Sequence, residues 1–223
     1  MTMQISVIIP CRNGANYLAE AIASIREQGV ECEIIVVDDG STDDTAALAR
    51  SLGCVTITQE AAGPSRARNT GVHAAQGNFI LFLDHDDLLA PGALNAMLEA
   101  CDEATDLVTA RLRDFISPEL SEEQRACLKV RPDAYGGLLT GAYLFRRGIT
   151  EAAGGFDEAL PGGEVVDFLL RCHECGARTK QLDLVSCLRR VHMSNSGRVK
   201  REANFKGYTA SLRSRLRGAR QGA

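Results

Sequence analysis

The chain has 223 residues, of which 45% are hydrophobic, and a formal net charge of −4. That length buries one sizeable core and argues for a single domain, and an acidic body with no nucleic-acid-reading motif argues against nucleic acid as a partner. No apolar run reaches the roughly eighteen residues needed to span a bilayer, and an apparent strand at Ile5 to Ile9 leaves no room for a secretory leader, so the expected location is cytoplasmic.

The first half alternates apolar runs with helix-period segments: Ile5 to Ile9, a helix, Ile34 to Val37, a helix, Val55 to Ile57, a helix, then Phe79 to Leu83. This order predicts an α/β fold with a parallel sheet covered by helices. The first helix carries Leu18, Ala21, Ile22 and Ile25 at i, i+3, i+4 and i+7, with Asn16 as its expected cap. Ser41 and Asp44 predict the start of the second helix, directly after Asp38-Asp39-Gly40 at the carboxyl end of a buried strand. That edge of an open parallel sheet is where ligands bind, and carboxylates there suit a nucleobase imide or ribose hydroxyls, although a turn and helix cap explains the same residues.

Gly63-Pro64 then breaks the chain before a helix start with Arg66 and Arg68, whose guanidinium forks fit diphosphate oxygens or simply face solvent. The strand Phe79 to Leu83 runs into Asp84-His85-Asp86-Asp87. Carboxylates packed this closely repel one another unless a cation or donors compensate, and hard divalent ions take such ligands. Strand alternation would put Asp84 and Asp86 on one side to hold Mg²⁺ or Mn²⁺; an acidic turn capping the next helix is the other reading. Neither a Gly-x-Gly-x-x-Gly nor a Gly-x-x-x-x-Gly-Lys-Ser/Thr element is present, so a phosphate site would rely on metal and arginine.

The second half is less regular, with a polar helix and loop expected over residues 117–132 and a glycine-rich run over 136–163. Eight cysteines lie scattered through apolar segments and read as reduced, mostly buried thiols. Cys172-His173-Glu174-Cys175 has zinc-like spacing but no matching second pair. At the C-terminal end Arg198, Lys200, Arg201, Lys206, Arg213, Arg215, Arg217 and Arg220 are opposed only by Glu202, a block that suits a membrane surface, an acidic partner or a solvated face.

Taken in order, Ser6 to Asn13, Val36-Val37-Asp38-Asp39-Gly40-Ser41-Thr42-Asp43, Ala67-Arg68-Asn69-x-Gly71 and Phe82-Leu83-Asp84-x-Asp86-Asp87 resemble the signature of family 2 glycosyltransferases of the GT-A fold. Gly154-Gly155-Phe156-Asp157, Gly163-Glu164 with Asp167 and Arg171, and Arg190-Val191-His192-Met193-Ser194-Asn195-Ser196 continue it, over roughly residues 4 to 196. The resemblance implies a Rossmann-like nucleotide-sugar domain over 1–197 with a mainly parallel sheet, followed by a basic helical tail over 198–223. It implies inverting transfer of a hexosyl or N-acetylhexosaminyl group from a nucleoside-diphosphate donor, UDP-linked by family habit, to a glycan, small-molecule, lipid-linked or peptide acceptor. By the same carry-over Pro10, Arg12, Asp38 or Asp39, Arg68, Asp84 and Asp87 serve the donor nucleotide, and Asp84, Asp86 and His192 serve the Mn²⁺ or Mg²⁺.

One departure concerns the base. Where many members of the family carry Glu-Asp, this chain has Glu164-Val165, and valine cannot take the acceptor proton. Glu164, Asp167 and Arg171 are spaced to share a helix face, so Glu164 is the expected substitute base and Asp167 the second choice. The alternative is a protein of the same fold that binds nucleotide sugar without turnover.

Overall fold

The computed structural model describes residues 5–195, so the basic tail lies outside the described residues. Among the described residues eight strands form one sheet: β1 (Ile5–Cys11), β2 (Cys32–Asp39), β3 (Val55–Gln59), β4 (Phe79–Phe82), β5 (Leu88–Leu89), β6 (Leu107–Ile116), β7 (Tyr143–Arg146) and β8 (Thr179–Val191). Their spatial order is β3-β2-β1-β4-β7-β6-β8-β5. The first four strands pair in parallel, as their apolar runs predict, and β6 pairs in parallel with β8. β7 runs antiparallel to both β4 and β6, and β5 is antiparallel to β8, so the sheet is mainly rather than wholly parallel. β1 is buried at every position, as expected of a strand covered on both faces.

The helices are α1 (Leu18–Arg26), α2 (Thr45–Ser51), α3 (Pro64–Ala74), α4 (Ala93–Glu99), α5 (Glu122–Ala126), α6 (Arg147–Ala152) and α7 (Glu164–Glu174). The predicted α1 face of Leu18, Ala21, Ile22 and Ile25 is buried, but the helix starts after Tyr17 and not at Asn16, because the Gly14 carbonyl accepts the Tyr17 and Leu18 N–H groups. Likewise α2 starts at Thr45 and not just after Ser41. Residues 41–45 are drawn to the neighbouring loop: Ser41 Oγ accepts the Asn13 N–H (2.9 Å), Asn13 Oδ1 accepts that of Thr42 (2.8 Å), and Thr45 Oγ1 accepts that of Gly14 (2.9 Å). α5 fills the predicted polar stretch and carries a capping box between Ser121 and Gln124.

Two further contacts set the walls of the sheet's carboxyl edge. α3 lies against β1 so closely that a Cβ on Gly71 would stand 2.3 Å from Ile8 Cγ2. Asn69, on the same helix, pairs with the Phe156 backbone in both directions (2.7 and 2.9 Å), seating the loop before α7. Phe156 then packs on Phe168 and Phe82, with ring centroids at 4.2 and 5.2 Å.

The acidic run after β4 is a turn, not a continued strand: the Asp87 N–H donates to the Asp84 carbonyl (3.0 Å), so alternation does not govern where Asp84 and Asp86 point. The turn is bolted to β8 by Arg190, which is only 1% exposed. Its backbone N–H donates to Asp87 Oδ1 (2.8 Å), Nε to the Asp86 carbonyl (2.9 Å), Nη1 to Ser117 Oγ (3.2 Å) and Nη2 to Glu20 Oε2 (2.6 Å). The guanidinium lies 4.8 Å from the ring centroids of both Tyr17 and Phe115.

Gly71→Ala is expected to destabilise the fold by about 1–3 kcal/mol through overpacking against Ile8, against a helix-propensity gain of about 1 kcal/mol. A urea midpoint equal to or above wild type would refute that close approach. Arg190→Ala should cost about 2–4 kcal/mol, from lost packing and an unpaired Asp86 carbonyl, whereas Glu20→Gln, on the exposed side of the pair, should cost under about 1 kcal/mol. Equal losses for the two variants in chemical denaturation would contradict the assignment of the stability to Arg190's buried contacts.

Candidate active site

The carboxyl ends of β1, β2 and β4 open into a cleft of about 580 Å³. Pro10 and Cys11 line it from β1 and Arg12 from just beyond it, Asp39 from β2, Gly63 from the cap of α3, Pro64, Ser65 and Arg68 from α3 itself, and Asp84 to Asp87 from the acidic turn. The far wall consists of Leu139, Thr140, Glu158, Leu160 to Gly162, Glu164, Val165, Arg189 and Asn195.

Asp39 is held as a clamp on the loop that starts α3. Its Oδ1 accepts from Gln59 Nε2 and the Ala62 N–H, and its Oδ2 from the Gly63 N–H, each at 2.8 Å. Asp38 does not line the cleft: it is buried and accepts the Ser41 N–H (3.2 Å), closing a turn over Gly40, whose φ of +70° suits glycine. Of the pair left open by the sequence, Asp39 is therefore the one that faces the cleft.

Arg68 bridges two of the predicted residues. Nη2 reaches Asp84 Oδ1 at 3.0 Å and Nη1 reaches Glu164 Oε1 at 3.2 Å, while its guanidinium lies 5.3 Å from the Phe156 ring centroid. Arg68 is 4% exposed, so this pairing works in a medium where charge is poorly screened. Val165, at the position where an acid was expected, also lines the cleft and is nearly buried.

On the other side of the turn His192 Nε2 lies 2.9 Å from Asp86 Oδ2, and Asn195 Nδ2 donates to the same oxygen at 3.3 Å. His192 Nδ1 lies 3.0 Å from Ser194 Oγ, and its ring packs on Tyr17 with centroids 5.0 Å apart. Burial pushes the Asp86 carboxyl up, but the hydrogen bond from His192 and the charges of His85 and His192 outweigh it, so its pKa lies below the usual value. Burial drives Asp87 well above the usual value, helped by repulsion from Asp86 and Asp84. Its Oδ1 accepts the Arg190 N–H and its Oδ2 the Cys187 thiol (3.8 Å), so its carboxylate is spent on β8.

Asp167 does not line the cleft. It is buried and pairs with Arg171 Nε at 2.8 Å, and Arg171 in turn donates to the Ala153 carbonyl, which braces α7 against the end of α6. Sharing a helix face with Glu164 does not bring it to the ligand edge. Sequence reasoning gave no role to Glu158, which lines the cleft with Oε1 held by Asn69 Nδ2 (2.9 Å), or to Arg189. Neither residue carries a local signal, because the loop before α7 and strand β8 reach the cleft only through tertiary packing.

Among the described residues no group of three or more His, Cys, Asp or Glu side chains stands ready to hold a metal, the Cys172 to Cys175 segment included. All eight cysteines are free; Cys11, Cys172 and Cys187 are buried, and Cys127 and Cys175 are exposed. No helix among the described residues is long and apolar enough to cross a membrane.

Comparison with known proteins identifies the family and the fold. Residues 6–148, more than half of the chain, match the family described as glycosyl transferase family 2. The chain is 31% identical over 194 residues to the pre-mycofactocin glycosyltransferase of Mycobacterium tuberculosis, covering 79% of this chain and 40% of that protein. It is 31% identical over 198 residues to the succinoglycan biosynthesis protein ExoO of Rhizobium meliloti, covering 78% of this chain and 57% of that one, so the chain spans about half the length of these relatives. Among solved structures, S. aureus TarS 1-349 in complex with UDP superposes with a TM-score of 0.70 at 24% identity, over 85% of this chain and 61% of that one. The mannosyltransferase PcManGT from Pyrobaculum calidifontis, in complex with GDP-Man and Mn²⁺, superposes with a TM-score of 0.71 at 21% identity, over 96% of this chain and 64% of that one. The fold is that of the GT-A glycosyltransferases, and the chain belongs to glycosyltransferase family 2.

Proposed function

We propose that the protein transfers a hexosyl or N-acetylhexosaminyl group from a UDP-linked donor to an acceptor hydroxyl or thiol, with inversion and with Mn²⁺ or Mg²⁺. The observation that carries this reading is the charge of the cleft: Asp39, Asp84, Asp86, Glu158 and Glu164 line it against Arg12, Arg68 and Arg189. A diphosphate entering such a cleft needs an added cation, and two carboxylates from one turn suit a hard divalent ion that completes its shell with water and phosphate oxygens. Asp86 and Asp84 would hold it, and when bound it would neutralise charge on the departing diphosphate. His192 acts through Asp86, fixing the carboxylate by its hydrogen bond. The complexes of TarS with UDP and UDP-GlcNAc, and of PcManGT with GDP-Man and Mn²⁺, support a nucleotide-sugar donor.

In the reaction the acceptor oxygen or sulfur bonds to the anomeric carbon as the bond from that carbon to the diphosphate oxygen breaks, and the acceptor proton passes to a base. Glu164 is the base. Its Oε1 is held by Arg68, which fixes the side chain and leaves Oε2 to take the proton. Asp39 positions the loop from Ala62 to Ser65 beside the nucleotide, and Pro10 and Arg12 form the adjoining wall. Asp87 holds the acidic turn on β8 rather than touching the donor. The second reading, binding without turnover, is favoured by Val165 and by the Arg68 contact on Glu164.

A panel of nucleotide sugars, titrated with and without Mn²⁺ and followed by calorimetry and by nucleoside-diphosphate release, tests the donor. Asp86→Ala is expected to abolish metal-dependent donor binding; retention of wild-type, metal-dependent affinity would remove Asp86 from the site. Glu164→Gln should lower kcat about 100-fold or more while donor affinity stays unchanged. Near wild-type turnover in that variant would exclude Glu164 as base, and an absence of turnover in the wild type with every donor and acceptor class would favour the binding protein.

A further inference from the structure

The far wall of the cleft contains a further guanidinium, whose charge is felt by Asp87 of the turn but whose ion pair is made elsewhere. Arg189 lines the cleft from β8, and its partner is Asp114 of β6, whose side chain is 4% exposed. The register sets Asp114 directly beside Arg189, with Arg189 Nη1 3.5 Å from Asp114 Oδ1. Asp114 is already fully engaged: Oδ1 also accepts the Tyr135 hydroxyl (2.5 Å), and Oδ2 accepts the Arg131 N–H (3.2 Å). The Arg131 guanidinium lies over the Tyr135 ring, 4.0 Å from its centroid. Arg189 thus pairs with the Asp114 carboxylate and also meets the Tyr135 side chain, while Arg131 reaches Asp114 through its backbone N–H and Tyr135 through its guanidinium. A guanidinium has five N–H donors, and the contacts with Asp114 and Tyr135 do not use them all.

The place of this cluster in the sheet decides what it faces. β6 and β8 are separated from β2, which bears Asp39, by β1, β4 and β7. If the nucleotide lies at β1, β2 and the start of α3, Arg189 stands across the acidic turn from it, where the acceptor must approach. In a cleft with an excess of carboxylates, a positioned guanidinium on that side selects for an acid group.

We propose that Arg189, aimed by Asp114 and Tyr135 and reinforced by Arg131, is the recognition site for a phosphate or carboxylate on the acceptor. This rests on the donor reading above, since it takes the acceptor half of the cleft to be the half the nucleotide does not fill. The guanidinium fork binds the oxyanion through paired N–H donors, and the Tyr135 hydroxyl stays committed to Asp114.

The test uses the full chain, saturated with UDP and Mg²⁺ and titrated with methyl phosphate, and separately with acetate, by NMR. Methyl phosphate is expected to bind the UDP-loaded protein and to shift the Arg189 side-chain signal; acetate binding at the same place would show that a carboxylate serves equally. Arg189→Gln should weaken that binding about tenfold or more, Arg189→Lys less, and Arg111→Gln, whose side chain pairs with Asp183 away from the cleft wall, not at all. Binding unchanged in Arg189→Gln, binding of neither anion to the wild type, or displacement of both by UDP would each overturn the proposal. If UDP itself fails to bind, the donor reading falls, and the comparison of wild type with Arg189→Gln in the free protein still decides whether Arg189 takes an anion.

Discussion

The structure is organised around the electrostatic problem of placing three carboxylates within four residues. Burial and repulsion from Asp86 and Asp84 drive the Asp87 carboxyl well above its usual pKa, so Asp84, Asp86 and Asp87 cannot share one turn without separate partners. Each has its own: Arg68 of α3 for Asp84, His192 and Asn195 beyond β8 for Asp86, and the backbone and thiol of β8 for Asp87. These partners are far away in sequence, so the turn takes its shape only when α3 and β8 have both docked. Arg190 ties the same turn to Glu20 of α1, 170 residues away. The cleft and the fold therefore form together, and the acids of the turn are held by donors placed behind them: a guanidinium for Asp84, an imidazole and an amide for Asp86, and a backbone N–H for Asp87.

The cleft has two halves with different construction. Its first half comes from parallel strands and the loops at their carboxyl ends, zipped by Asn13, Ser41 and Thr45 and by Asp39 with the start of α3. Its second half depends on β7, which enters antiparallel between β4 and β6 and so carries the Thr140 turn and the loop before α7 to the same edge. Arg68 joins the halves, because one guanidinium holds Asp84 on one side and Glu164 on the other. Coupling of that kind makes the position of Glu164 sensitive to whatever occupies the neighbourhood of Asp84.

What the sequence made legible follows from locality. The buried face of α1 and the parallel strands rest on periodicities of a few residues, and the acidic run after β4 is a contiguous motif. Helix starts depart from the local cap signal wherever a tertiary hydrogen bond outcompetes it: Ser41 serves Asn13 instead of α2, and Asn16 gives way to Tyr17. Alternation failed for Asp84 and Asp86 because the strand had already ended, although both still reach the cleft. The Glu20–Arg190 pair and the Asp114–Tyr135–Arg189 cluster are built across strands and helices, and no spacing in one sequence encodes them.

The fate of the two candidate bases illustrates the limit of helical-face arguments. Glu164 and Asp167 lie one turn apart on α7, and that spacing alone makes them equivalent. Gly163, with φ of +75°, sets the entry of the helix so that its first residue meets Arg68 at the cleft, while one turn further in the same stripe meets Arg171 and the end of α6. A stripe that begins at a ligand edge passes into the interior within a single turn, about 5.4 Å of rise. The residue at the helix entrance meets the cleft, and its neighbour on the same stripe braces the helix that presents it.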